Sequence, residues 1–222
     1  IIASGDCGKD RSNVTWKLDS AGLLTISGEG EMEDYSAIGY AYDNWITTAP
    51  WQNRASKLII QEGVTSIGGY AFYNCGALKS VTIPDSVTSI GYDAFSFCTS
   101  ITSVTIGSGV TRIRPGAFGD CTSLREIYYN AKAVGDLAIS YCVFGGAGTS
   151  TNGVKVFVGE KVKKIPAYLF YGAYGENGNN ILECEFLGAP PTVGAGAFGE
   201  ITRIYAYYPM HNSAWTESGR KA

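Results

Sequence analysis

The sequence predicts a solenoid, a stack of short-stranded coils sharing one elongated core, and three observations predict it. Three segments align without a gap: VTSIGGYAFYNC (64–75), VTSIGYDAFSFC (87–98) and VTRIRPGAFGDC (110–121). Their spacing of 23 residues brings apolar side chains into columns: Ile60, Ile83 and Ile106; Val64, Val87 and Val110; Ile67, Ile90 and Ile113; Phe72, Phe95 and Phe118. The 222 residues include 29 Gly and only 2 Met, a composition of many turns and short extended pieces.

Within one period, LKSVTI (78–83) alternates. Val81 and Ile83 point one way and Ser80 and Thr82 the other, the pattern of a half-buried strand. Pro84 and Asp85 turn the chain, VTSI is a second short extended piece, and YDAFSFC places Ala94, Phe95 and Cys98 on one turn of helix or 3-10 facing the core. A single coil cannot bury its own apolar side, and stacking supplies the missing neighbour.

Two weaker copies follow. VKKIPAYLFYGA (162–173) lies 52 residues beyond 110–121, which is two periods plus six, so a degenerate coil with an insertion falls in 131–153. PTVGAGAFGEI (191–201) is displaced by 28, and the glycine-rich stretch at 171–180 accommodates the five extra residues. The prediction is therefore a solenoid over 57–200 with about six coils, a rod of roughly 30 Å at ~4.8 Å per strand.

Residues 1–56 do not match the repeat and are expected to form an N-terminal β cap. VTWKLDSAGLLTIS (14–27) reads as a hairpin around Ser20, Ala21 and Gly22, with Trp16, Leu18, Leu24, Ile26, Trp45 and Trp51 available to cover the first coil. Residues 201–222 are expected to form a C-terminal cap closed by Trp215.

Charge and hydropathy narrow the function. The net charge is −3, charged residues are 17%, and no basic run offers a footprint for nucleic acid. Apolar runs are only a few residues long, against the ~20 that a spanning helix requires. The chain does not begin with Met and shows no signal-peptide pattern, so it is expected to be processed or trimmed.

From about Leu58 to Phe198 the template LxxVxIPxxVTSIGxxAFxxC closely resembles the BspA-type leucine-rich repeat of bacterial cell-surface proteins. The flanks CGKDRSNVTWKLDSAGLLTISGEGEM and YAYYPMHNSAW resemble segments beside such repeats in gut and oral bacteria. The resemblance implies a right-handed β-rich superhelix, an extracellular or cell-surface location, and a role in binding or adhesion. Some relatives attach to host matrix proteins such as fibronectin and fibrinogen. It supplies no catalytic motif. The chain departs from the pattern at 124–153 and 174–190.

No cofactor, metal or catalytic constellation emerges. Cys75, Cys98 and Cys121 recur at the coil period rather than at metal-ligand spacing, and a buried thiol behaves as a small apolar side chain. Cys184 falls at an inward strand position, whereas Cys7 and Cys142 lie outside the column. The single His211 sits in a capping turn without a nucleophile beside it. The acidic GEGEMED (28–34) reads as a solvated loop, and GGAG (145–148) lacks the Lys-Ser/Thr of a phosphate loop. Glu183 and Glu185, ~7 Å apart on one strand face, approach glycosidase spacing, but no other feature suggests a sugar-cleaving cleft.

The informative surface is the outward strand face. Its central column reads Ile59, Thr82, Thr105, Tyr128, Phe157, Glu185, and the adjacent column Lys57, Ser80, Ser103, Glu126, Lys155, Glu183, with Tyr205 or Tyr208 contributed by the last strand. The first half is small and β-branched, the second aromatic and charged. Exposed aromatics bordered by charges make a binding patch, although cross-strand aromatic pairs also stabilise a sheet. The expected function is non-enzymatic recognition of a host or bacterial protein through Tyr128, Phe157, Glu126, Lys155, Glu183, Glu185 and Tyr205. The alternatives are a lectin-like, glycan-binding module and a passive spacer within a larger surface protein.

Overall fold

A computed structural model describes residues 1–11, 13–39, 46–138, 140, 142–171, 180–199 and 205–209. Trp45, His211, Trp215 and most of the expected C-terminal cap lie outside the described residues.

The chain opens with an antiparallel meander, β1 (Ala3–Asp6), β2 (Thr15–Leu18) and β3 (Leu23–Ser27). The β2–β3 turn forms where Ser20, Ala21 and Gly22 predict it. Asp19 Oδ1 accepts the Ala21 and Leu23 amides at 2.8 and 2.9 Å, and Gly22 takes φ 77°. Next come β4 (Gly30–Glu31), β5 (Ala37–Ile38) and β6 (Ile46–Thr47). The acidic segment 28–34 is thus not wholly a solvated loop: β4 pairs in parallel with β8 (Val64–Ile67) and heads a sheet continued by β10 (Ser89–Ile90) and β12 (Arg112–Ile113).

The main sheet is parallel and runs β9 (Ser80–Ile83), β11 (Ser103–Ile106), β13 (Glu126–Tyr129), β14 (Val154–Val158), β16 (Ile181–Phe186), β18 (Tyr205–Tyr207). β7 (Lys57–Ile60) lies beside β9 but bonds instead to β3, pairing Leu24 with Leu58 and Ile26 with Ile60. The first coil is therefore laddered to the N-terminal meander. The expected column from Ile59 to Thr82 crosses a break between two sheets.

Inside, one file of rings runs the length of the described coils. Trp51 stacks on Phe72 at 5.7 Å, followed by Phe95 at 4.8 Å, Phe118 at 5.3 Å, Phe144 at 5.3 Å, Phe170 at 5.6 Å and Phe198 at 5.2 Å. Trp51 is fully buried and donates Nε1–H to Ala71 O at 2.9 Å, so it closes the head of the file, as a large amphipathic ring can.

Phe144 locates the degenerate coil. It lies 26 residues after Phe118 and 26 before Phe170, so the six extra residues divide three and three around it. That coil has no described strand in the second position. β15 (Lys164–Ile165) and β17 (Thr192–Val193) therefore form a separate pair rather than extending the β12 edge.

The segments around each Phe are turns, not the expected helical or 3-10 turn. In 70–75 the amides alternate. Ala71, Tyr73 and Cys75 bond three residues back, while Tyr70, Phe72 and Asn74 each donate at 2.8 Å to Tyr92, Ala94 and Ser96 of the next coil. A helix would direct all of these amides inward along one segment and leave none to join coils. The alternation requires positive φ two residues before and two after each Phe: Tyr70 (54°) and Asn74 (52°), Asp93 (47°) and Phe97 (59°), Gly116 (69°) and Asp120 (52°).

Cys75, Cys98 and Cys121 line the core beside the ring file with Ala147 as the next member. Cys98 and Cys121 Sγ donate to Phe72 O and Phe95 O at 3.1 and 3.3 Å, and burial pushes the Cys75 and Cys121 thiols up to about 12. Cys7 and Cys184 are also buried, and Cys142 is half-buried.

Candidate functional site

Four parallel strands place the candidate face. β13, β14, β16 and β18 align Glu126, Lys155, Glu183 and Tyr205 in one outward column, and Tyr128, Phe157, Glu185 and Tyr207 in the next. Of the intervening residues, Ile127, Val156 and Cys184 are buried, and Ala206, next in register on the last strand, is exposed.

Tyr128 and Phe157 stack at 4.7 Å with their rings 6° from parallel. Lys155 Nζ lies 4.9 Å from the Phe157 ring centre and 5.3 Å from that of Tyr207, so one ammonium joins aromatics from two strands. The same Nζ pairs with Glu185 Oε2 at 2.7 Å and Glu183 Oε2 at 3.8 Å. Both carboxylates that suggested glycosidase spacing are therefore engaged with a lysine. Tyr128 donates its hydroxyl to Glu126 Oε2 at 3.0 Å.

These contacts tune the face. The bond to Glu185, reinforced by both carboxylates' charge, holds Lys155 above its usual range, and the bond to Glu126 raises Tyr128. Tyr128, Phe157, Lys155 and the two glutamates are half-buried, whereas Tyr205 and Tyr207 are 57% and 49% exposed.

All seven residues expected at this face lie on it, but the last strand differs from expectation. Tyr205 joins the outer column, Tyr207 rather than Tyr208 continues the central one, and Tyr208 packs against the core. The sequence pattern alone does not single out Tyr207. The signal for it is the small Ala206 registered with inward Cys184, which fixes the alternation of YAYY.

Among the described residues, no group of three or more His, Cys, Asp or Glu lies close enough to hold a metal ion. The face has hydrogen-bonding groups, a held cation and flat apolar rings, the repertoire of recognition.

Stacked coils with period-23 columns, parallel ladders and an inner ring file define a leucine-rich repeat protein. The chain belongs to the BspA-type leucine-rich repeat family: the BspA type Leucine rich repeat region matches residues 51–177 in six copies. Solved structures that resemble it are bacterial leucine-rich repeat proteins. One from Eubacterium ventriosum has 22% identity and a TM-score of 0.38, over 88% of this chain and 63% of that one. One from T. pallidum has 19% identity and a TM-score of 0.39, over 96% and 95%. One from Bacteroides capillosus has 21% identity and a TM-score of 0.36, over 69% and 99%. The chain thus spans about 63% of the length of the E. ventriosum protein. No curated protein matches the sequence. Leucine-rich repeat domains in general mediate protein interactions, and BspA-type proteins are in general surface or secreted proteins of bacteria.

Proposed function

We propose that this chain is a non-enzymatic, cell-surface recognition module that binds a host or bacterial protein through the face of β13, β14, β16 and β18. The observation that carries the reading is the change along the outward columns. Ser80, Thr82, Ser103 and Thr105 give way to the Tyr128–Phe157 stack, the Lys155 cation and two exposed tyrosines. Aromatic anchors are what protein interfaces concentrate at their centres, with charged and polar side chains around them. Host matrix proteins such as fibronectin and fibrinogen are the first partners to test, on the family resemblance.

Biolayer interferometry against a panel of such proteins tests the proposal. The wild-type chain should bind at least one saturably, and joint replacement of Tyr128 and Phe157 by Ala should abolish binding while circular dichroism stays native. Unchanged binding by the double variant sinks the assignment of this face.

A second reading draws on the exposure of Tyr205 and Tyr207, whose rings could stack on sugar faces. A glycan array separates the two: selective glycan retention with no protein binding favours a lectin-like module.

A further inference from the structure

Away from the main sheet, the turns of the first two coils and the segment at β5 border an open hollow of about 470 Å³ lined by Tyr70, Tyr73, Phe97, Asp93, Ser36 and Ala37. We propose that this hollow binds an organic cation of the alkylammonium type, held among the three rings against the Asp93 carboxylate.

The walls suit a rounded cation. Tyr70 and Tyr73 lie 5.7 Å apart and tilted by 53°, and Tyr73 and Phe97 5.5 Å apart and tilted by 58°. Mutually tilted rings give π faces to a compact group from several directions, whereas a sugar ring calls for one flat platform. Quaternary and alkylated ammonium groups are the ligands such aromatic corners hold best.

The charge is complementary. Asp93 is half-buried, hydrogen-bonded to Tyr70 and Ser96, and faces the like charge of Asp120; no salt bridge neutralises it among the described residues. Burial, with the charge of Asp120 beside it, raises its titration. Space for it is reserved by Gly116, where a Cβ would run into Asp93 Oδ1. One step along the same flank, Arg114 already lies 5.2 Å from the Tyr92 ring centre, so these turns do accept a cation on an aromatic face.

The positive φ that every coil requires at these turns falls here on bulky residues. Tyr70 and Phe97 hold φ of 54° and 59° at positions where other coils have Asp93, Gly116, Cys142 and Gly196, or Asn74, Asp120 and Gly146. Asp, Asn and Gly tolerate the left-handed region; bulky side chains do so at a cost, and such outliers gather at functional sites. Tyr168 shares the strain elsewhere, paired edge-on with Tyr171. The two strained aromatics of the first two coils both line the hollow.

The test is a calorimetric and NMR titration of the whole chain with choline, with its neutral isostere 3,3-dimethylbutan-1-ol, with trimethyllysine amide, and with methyl glucoside. Choline or trimethyllysine amide should bind saturably and the neutral isostere at least about fivefold more weakly, the loss expected when a cation–π contact is removed. Phe97→Asn should weaken cation binding by a similar factor while raising the melting temperature, because Asn relieves the strained φ. Asp93→Asn, which keeps a residue tolerant of that backbone, should weaken it as well. Retention on phosphatidylcholine vesicles would assign the cation to a lipid headgroup, and trimethyllysine binding without retention to a protein side chain. Equal binding of the isostere, preference for the glucoside, or no saturable cation binding to about 50 mM overturns the proposal. Full affinity in Phe97→Asn overturns it too.

Discussion

The Tyr128 and Phe157 rings face each other across β13 and β14, 4.7 Å apart and 6° from parallel, on the side of the sheet opposite the buried Ile127 and Val156. Such a pair contributes both to the sheet and to any surface it presents. A double-mutant cycle of Tyr128→Ala and Phe157→Ala in urea should show a coupling of about 0.5–1.5 kcal/mol. Additive losses would mean that the stack contributes no more than separate burial.

Phe95 is sandwiched between Phe72 at 4.8 Å and Phe118 at 5.3 Å and is completely buried. Phe95→Ala should cost about 3–5 kcal/mol, measured by chemical denaturation. A loss below about 1 kcal/mol would show that the file is not the core's main support.

Cys98, fully buried and bonded to Phe72 O, is a packing residue. Cys98→Ala should lower stability by roughly 1–2 kcal/mol and leave any binding untouched. Loss of binding in a folded variant would contradict that role.

The thiols also predict an alkaline dependence. Burial pushes Cys7, Cys75, Cys121 and Cys184 up to about 12, and Cys98 well above its ordinary range. In the unfolded chain they ionise near ~8.5. Between these values the native state retains protons that the unfolded state has lost, so stability is full below about pH 8 and declines as pH rises through the window. Denaturation midpoints at a series of pH values from neutral to alkaline should fall steadily, and a thiol reagent at mildly alkaline pH should not label these five cysteines before unfolding. Rapid native labelling would contradict their burial.

Much of this was legible in the sequence because column positions repeat with fixed chemistry. Val81, Val104 and Ile127 announce inward strand positions, and Phe72, Phe95 and Phe118 the ring file. Phe144 was not legible, since its coil is stretched by three residues on each side and lacks the Val-Thr-x-Ile lead. The turns read as helical because Ala94, Phe95 and Cys98 suit a helical face equally well; only the amide alternation between coils separates the two. Tyr70 and Phe97 gave no warning of positive φ, because bulky side chains signal the opposite. Four parallel strands brought the expected face together, while the last strand needed Ala206 to fix which tyrosines point outward.

The recognition role is tested most directly by mapping which half of the outward face carries binding. Tyr205→Ser combined with Tyr207→Ser changes two exposed side chains on the aromatic half, and Thr82→Ser combined with Thr105→Ser changes the β-branched half. In interferometry against fibronectin, fibrinogen and the rest of the protein panel, the tyrosine pair should weaken binding about tenfold or more, with a native melting profile, and the threonine pair should bind like wild type. Equal affinity for both variants, or no saturable binding of the wild-type chain, would contradict the account.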